Sequence, residues 1–428
     1  MSWQSPISPG ISWYEATVGE RPEYAPMSGS CQADVAIVGG GFTGLQAAYH
    51  LARKGVRVVL IDAHRFGDGA SGRNGGQLGT GQRSWPEELE EELGYERSKG
   101  LFELAERAKQ HIHDFAASQS LDIEFVPGHL SVSHKKSLEK YYRANPEIAA
   151  KRYGYPHSTF MDKAETQERL GSTRYIFGVR DTGTGHIHPL KLLIGIARAA
   201  AAAGAVLHER TPALKVERSD GKAVITTARG TVTADKALIA CNAHIGNLEP
   251  KTAAHVMPIR SFLGATSVLD KFPTVIPGGE SVSDSRFVVR YFRRSRDGRL
   301  LFGGREAYTA DDPRDISVHI RRQITEIYPE LADVEITHGW GGSVGITMPR
   351  KPYVREVMPG ITSIGGYSGH GVMLSNYCGR LYAEDATGGS ADLDMLKALK
   401  IPSFPGGRRF RSPLLFLAMT WYALRDTL

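Results

Sequence analysis

The chain has 428 residues, with Lys+Arg 52 against Asp+Glu 46 and a formal net charge of +6. Hydrophobic residues at 41% and charged residues at 23% are ordinary globular proportions, which exclude a disordered or collagen-like chain. The length exceeds what one core fills, so two domains are expected, and the mild, intermixed basic charge argues against nucleic acid as a partner.

Glycine is abundant, at 48 residues, which suggests backbone-dense turns that approach a phosphate or a planar cofactor. Cys31, Cys241 and Cys378 stand in unrelated contexts and support neither a disulfide framework nor a metal site. The start, MSWQSPISPG, has no basic region followed by an apolar run, so no secretory signal is read. No stretch reaches the roughly 18 apolar residues of a transmembrane segment. A cytoplasmic protein is the expectation.

The first organised segment, residues 34–62, reads DVAIVGGGFTGLQAAYHLARKGVRVVLID. Val35 to Val38 is a short β-branched run of the buried parallel kind. Gly39, Gly41 and Gly44 then fit G-x-G-x-x-G, and Leu45, Ala48, Leu51 and Ala52 recur at helical spacing up to a cap at Gly55. Gly39 permits the tight turn, Gly41 lets backbone approach a pyrophosphate, and Gly44 lets helix and strand pack closely. The helix start, with Phe42 and Thr43 between those glycines, turns its free N–H groups toward phosphate charge. A second apolar run ends on Asp62, about twenty residues on, placed for both ribose hydroxyls and repelling a 2′-phosphate. Strand, helix, second strand and acid in register point to an adenine dinucleotide, without separating NAD from FAD.

Residues 63–80, AHRFGDGASGRNGGQLGT, do not continue as a plain NAD domain would. Such a loop can lay backbone from Ala63, Ala70 and Gly76 against a ring system while Ser71, Arg73, Asn74 and Gln77 supply donors. Further on, Pro189 to Ala203 reads as an Ala-rich helix with His188 as its N-cap. His186 and His188 are read as capping and loop-packing residues. Residues 286–308 read as two strands around Asp297-Gly298, a hairpin signal. Arginines 290, 293, 294, 296 and 299 alternate there with apolar residues, which predicts a solvated strand face. Near the end, Ile361 to Ile364 reads as a strand, Gly365 to Gly371 as a turn, and Val372 to Ala386 as a helix. Gly369, His370, Gly371, Val372 and Met373 form the start of that helix, which can stabilise the negative charge a reduced flavin gains. Two helix N-termini, one for pyrophosphate and one for the ring, suit an extended FAD better than NAD.

With IVGGGFTGL, GASGRNGGQ (69–77), GHIHPL (185–190), GYSGHGV (366–372) and FPGGR (404–408), the sequence resembles the D-amino acid oxidase/glycine oxidase superfamily of FAD enzymes. The likeness is nearest to its γ-glutamylputrescine oxidoreductase branch. It implies an α/β fold: a Rossmann-like FAD-binding domain with a discontinuous second domain built on an antiparallel sheet. The implied division gives 1–80, 171–250 and 345–428 to the FAD domain, and 81–170 and 251–344 to the substrate domain. It also implies a backbone contact from Ala213 to the adenine.

The implied chemistry is oxidation of an amine C–N bond to an imine, hydrolysed to an aldehyde, with oxygen or another acceptor reoxidising the flavin. A secondary amino acid of the pipecolate, sarcosine or proline type is the alternative substrate, and a non-catalytic FAD-binding module the alternative class. His370 is the candidate for flavin tuning or proton transfer, against a packing role for its ring. Amino-acid oxidases of the superfamily commonly carry an Arg in a G-x-R-P context to clamp the substrate carboxylate. Here Gly345-Ile346-Thr347 has none, although Arg350, a few residues on, could compensate. Related sarcosine oxidases attach flavin through a Cys near this region; the nearest here, Cys378, lies within the expected helix, which predicts non-covalent FAD. The tail, Leu414 to Leu424, is expected to dock on its own domain rather than rest on a membrane.

Overall fold

The computed structural model describes residues 12–84, 86–286, 288–307 and 315–405. The C-terminal tail considered above lies outside them. Two sheets organise the chain. The first is eight-stranded, in the order Tyr353–Met358, Ile361–Gly365, Gly230–Ile239, Cys31–Val38, Val58–Ile61, Val206–His208. Neighbours from Ile361–Gly365 through to Val206–His208 are parallel. Strands Ala213–Ser219 and Lys222–Thr227 extend it beside Gly230–Ile239.

Strand Cys31–Val38 shows why both faces must be covered. Val35 and Ile37 join one core with Leu45, Leu51, Leu193 and Leu374, while Ala36 and Val38 join another with Val59, Ile225 and Ile239. A parallel strand sandwiched this way reads as an unbroken apolar run. Helices Phe42–Ala52, Pro189–Ala202 and Gly371–Thr387 supply the first of these faces. His188 caps the middle one as expected, its Nδ1 accepting from Lys191 N at 3.2 Å. His186 packs, its ring in contact with Gly279 O at 2.9 Å.

The second sheet has nine strands, running Ile336–Ile346, Met257–Val268, Arg299–Ala307, Tyr291–Arg294, Ser281–Asp284, Val126–Ser133, Phe177–His186, Gln77–Leu78, with Ser158–Met161 beside Phe177–His186. All its pairings are antiparallel except Ser281–Asp284 with Val126–Ser133. Strands Phe177–His186 and Gln77–Leu78 thus pair here, although the expected division gave their residues to the FAD domain. Leu300 and Phe302 pack under helix Ile316–Ile327, whereas Leu263, Leu301 and Trp340 share a core with the helices of the first sheet. This second face therefore closes over the ends of the parallel strands.

The hairpin forms around Gly298 (φ +83°), and Arg296 is exposed as expected, but Arg290 and Arg293 depart from the solvated face. Arg293 is 3% exposed and Arg290 8%. Arg293 donates from Nε to Gly75 O at 2.9 Å, and from Nη2 to Ile187 O at 3.0 Å and the Tyr14 hydroxyl at 3.2 Å. Arg290 pairs with Glu326. A guanidinium carries five donors in a fixed fork, so one side chain can satisfy carbonyls left by several irregular loops. Alternation along a strand does not reveal that use.

Candidate active site

The carboxyl ends of strands Cys31–Val38, Gly230–Ile239 and Ile361–Gly365 lie side by side, where Cys31–Val38 leads through helix Phe42–Ala52 to Val58–Ile61 on one side and Gly230–Ile239, on its other side, leads on to the second sheet. Open α/β sheets bind ligands there. Gly39 follows the first strand at φ +112°, and a Cβ built on it would stand 2.7 Å from Ala240 O. A Cβ on Gly44 would stand 1.9 Å from Gly39 O, so helix Phe42–Ala52 touches the strand end through bare backbone. Its N-cap, Gly41, is extended and supplies no side-chain cap. Of the first N–H groups, that of Phe42 meets Ser71 Oγ at 3.1 Å. Asp62 accepts from Gly40 N at 2.6 Å and His64 N at 2.7 Å. Burial pushes its carboxyl up to about 6, the two backbone donors pull it down, and Asp68 and Glu209 raise it again. Ala213 opens the strand that follows Thr211, whose N–H donates to Asp62 O at 2.7 Å.

The loop after Asp62 folds on itself. Ala70–Gly72 is a short 3-10 turn. The Asn74 amide donates to Ala70 O and Ser71 O and accepts from Gly76 N, and Gln77 Nε2 donates to Val282 O at 3.0 Å. Arg73 Nη1 donates to Gly341 O at 3.2 Å, while Trp340 Nε1 returns a bond to Arg73 O at 3.0 Å. These hydrogen bonds hold the loop in shape. A Cβ on Gly75 would stand 2.9 Å from the Tyr291 ring, whose hydroxyl is 3.3 Å from Ser261 Oγ.

The second glycine turn is tied into the same place. Asn242, at φ +45°, accepts from Gly366 N at 2.8 Å, and Ser368 N donates to Gly345 O at 2.9 Å. Tyr367 OH meets Thr43 Oγ1 at 2.6 Å, joining the two glycine turns directly. Helix Gly371–Thr387 starts from His370 with no side-chain cap, so Gly371, Val372 and Met373 present their N–H groups forward. His370 does not stand in open space: a Cβ on Gly79 would lie 1.9 Å from its Cε1, and Nε2 is 3.0 Å from Gly81 O. A carbonyl only accepts, so Nε2 carries the proton and Nδ1 is the acceptor. Burial, more than nearby Arg83, pushes this ring down to about 4 and keeps it neutral.

The arrangement fits FAD on its own terms. Two helix N-termini with no cap from their own N-cap side chains are joined by the Tyr367–Thr43 bond, Gly39 and Gly44 leave no room for side chains, and a partly buried carboxylate follows the second parallel strand. Asn242, Tyr291, Trp340 and Tyr367 complete this site and escaped sequence reading. The Tyr of GYSGHGV was visible as a residue, but its partner Thr43 lies 324 positions away.

The FAD dependent oxidoreductase family (DAO) matches residues 34–385. The chain is 70% identical over 426 residues, 100% of both chains, to a "Probable oxidoreductase OrdL" of Rhizobium meliloti (strain 1021). It is 33% identical over 421 residues to the "Gamma-glutamylputrescine oxidoreductase" of Escherichia coli (strain K12), covering 97% of this chain and 98% of the other. Among solved structures, glycine oxidase from Geobacillus kaustophilus superposes with a TM-score of 0.70 at 22% identity, over 84% of this chain and 96% of that one. Among the described residues, no helix is long and apolar enough to cross a membrane. The chain belongs to the DAO family of FAD-dependent oxidoreductases, which act on amine and amino-acid C–N groups.

Proposed function

We propose that this enzyme oxidises a primary amine whose reacting nitrogen is remote from any carboxylate, as in γ-glutamylputrescine. The observation that carries the reading is Thr347. It is buried, its hydroxyl donates to Lys351 O at 2.7 Å, and its N–H donates to Ser368 Oγ at 3.2 Å. Threonine at this strand end is committed to holding the second glycine turn, where amino-acid oxidases of the superfamily place a carboxylate-clamping guanidinium. An apolar or hydroxyl group cannot replace that planar two-point clamp. The 33% identity to the E. coli protein named for γ-glutamylputrescine supports the same substrate class.

FAD, when bound, supplies the acceptor for the hydride removed from carbon. The chain's part is to hold the amine neutral and oriented against a dry wall, to which Leu263, Leu301 and Trp340 contribute. The imine leaves for hydrolysis to aldehyde and ammonia, and oxygen or another acceptor takes the electrons. Anaerobic mixing with a panel of amines tests the reading. Bleaching of the flavin by γ-glutamylputrescine is expected. Bleaching only by cyclic or N-methyl amino acids overturns it in favour of a secondary amino acid substrate.

The flavin is expected to be held without a covalent bond. Cys378 lies fully buried inside helix Gly371–Thr387, and burial pushes its thiol up to about 12, far from the thiolate that attachment needs. Acid precipitation should leave the yellow colour in the supernatant; a yellow pellet contradicts this.

A further inference from the structure

Resting on the remote-amine reading, we propose that Ser283, His129 and Gln77 form a strip that holds a carboxamide of the substrate beyond its reacting amine. Strands Val126–Ser133 and Ser281–Asp284 lie side by side within the second sheet, with Leu130 paired to Val282 and His129 to Ser281. Successive side chains of a strand alternate between its faces. Leu130, Val132, Val282 and Phe292 enter the core under helix Ile316–Ile327, so His129, Ser281 and Ser283 point the other way. Ser283 stands across from Tyr291, and the same cross-strand row runs on through Gly303 and Leu263 to Trp340. Tyr291, Leu263 and Trp340 pack with the helices of the first sheet, so the row faces the side that carries the two glycine turns. His129 is among the groups that depress His370, which brings the strip close to the start of helix Gly371–Thr387.

His129 bridges two hydroxyls, Nδ1 to Ser281 Oγ and Nε2 to Ser283 Oγ, each at 2.8 Å. Ser281 is buried and fixes the ring, while His129, Ser283 and Gln77 stay half-buried and within reach of solvent. Gln77 leans onto the same strand, its Nε2 donating to Val282 O at 3.0 Å. Among the described residues its Oε1 has no partner, and the Ser283 hydroxyl has only the imidazole. With Ser281 donating to Nδ1, Nε2–H donates to Ser283 Oγ and leaves the Ser283 hydrogen for a ligand. The neighbouring charges are committed. Asp181, across from His129, accepts from Tyr155 OH at 2.6 Å, Thr80 Oγ1 at 2.8 Å and Gly183 N at 2.9 Å. Arg293, on the strand of Tyr291, bonds to Gly75 O, Ile187 O and the Tyr14 hydroxyl. Burial, against the pull of Asp181, pushes His129 down to about 4, so the ring adds no charge. An uncharged donor beside an uncharged acceptor complements an amide, whose C=O takes the Ser283 hydrogen and whose N–H meets Gln77 Oε1. No motif marks the strip, since His129 and Ser283 stand 154 positions apart.

The test compares kcat/KM of the FAD-loaded enzyme for N-acetylputrescine and for heptylamine, which matches it in length but has no amide. Wild type should prefer N-acetylputrescine, and Ser283→Ala should cut that preference about tenfold, the worth of one hydrogen bond. The loss should fall on KM rather than kcat, because the amide is held equally before and during reaction. Ser283→Thr, which keeps the hydroxyl, should restore most of the preference. A purely structural role for Ser283 would weaken both amines alike, and that result overturns the strip. An unchanged preference in Ser283→Ala overturns it too. Should that variant fail to fold, wild type alone decides: equal kcat/KM for the two amines overturns the proposal. Flavin that no primary amine reduces overturns the remote-amine reading and the strip together, whereas the other failures leave that reading standing.

Discussion

Gly44→Ala should yield protein without flavin. The new Cβ would stand 1.9 Å from Gly39 O and 3.3 Å from Ile37 Cγ2, and the nearer atom is backbone at the end of a central strand. Restoring van der Waals spacing requires the helix start to retreat by roughly 1.5 Å. A donor displaced that far no longer makes a hydrogen bond. Losing two such charge-assisted bonds costs about 3 kcal/mol, or on the order of a hundredfold in FAD affinity. The ratio of flavin to protein absorbance after purification, and titration of the stripped protein with FAD, measure it. Gly55→Ala is the control: φ is +78° and nothing lies within 4 Å of the built Cβ. It should cost about 1 kcal/mol of backbone strain and keep the flavin. A yellow Gly44→Ala protein with wild-type affinity would refute the close-approach argument.

Acidification from pH 7 to 5 should lower the thermal stability sharply, because several imidazoles are folded in their neutral form with nowhere to place a second proton. His188 Nδ1 accepts the Lys191 N–H, so its Nε2–H faces Thr17 Oγ1 at 3.1 Å, and protonating Nδ1 would break the helix cap. His186 donates from Nε2 to Gly279 O, which leaves Nδ1 buried without a partner among the described residues. His111 Nε2 is likewise buried and unpartnered, in a ring 5.4 Å from that of His50. Burial is the largest cause in all three: it pushes His188 down to about 3, His111 to about 4, and His186 well below its ordinary 6.5.

The sign follows from proton counting. Below pH 6.5 the unfolded chain binds protons that the fold refuses, so stability is complete above 6.5 and falls as pH drops toward 4. At pH 5 each fully buried ring removes about 2 kcal/mol, and three together are comparable with the whole stability of a domain. Asp62 opposes this, since its raised carboxyl takes up a proton as the pH falls through 6. One carboxyl does not offset three imidazoles. Melting temperatures at the two pH values, at fixed ionic strength and excess FAD, check the expectation. His188→Asn, which keeps a capping oxygen, should make the dependence shallower; an unchanged slope would show that this ring does not titrate on unfolding.

How much was legible depended on how local the physics is. The parallel strand, the turn at Gly39, the helix start at Gly41 and the acid at Asp62 were readable because steric freedom, dipole and spacing act within a few residues. The cap at His188 was readable for the same reason. The role of Arg293 was misjudged from the sequence: it was assigned to a solvated face, yet it is buried and bonds to backbone carbonyls. A carbonyl left over by a distant loop carries no mark in the residue that satisfies it.

By itself the sequence determined the kind of cofactor and the two glycine turns that open onto helix starts, since glycines permit backbone approach and helix starts attract anions wherever they occur. Only the tertiary structure decided which side chains surround those segments. Thr43 meets Tyr367, Asn242 meets Gly366, and His370 turns into Gly79 because two sheets close on one another. Contacts of that range are set by packing of whole elements, and no local pattern in the chain encodes them.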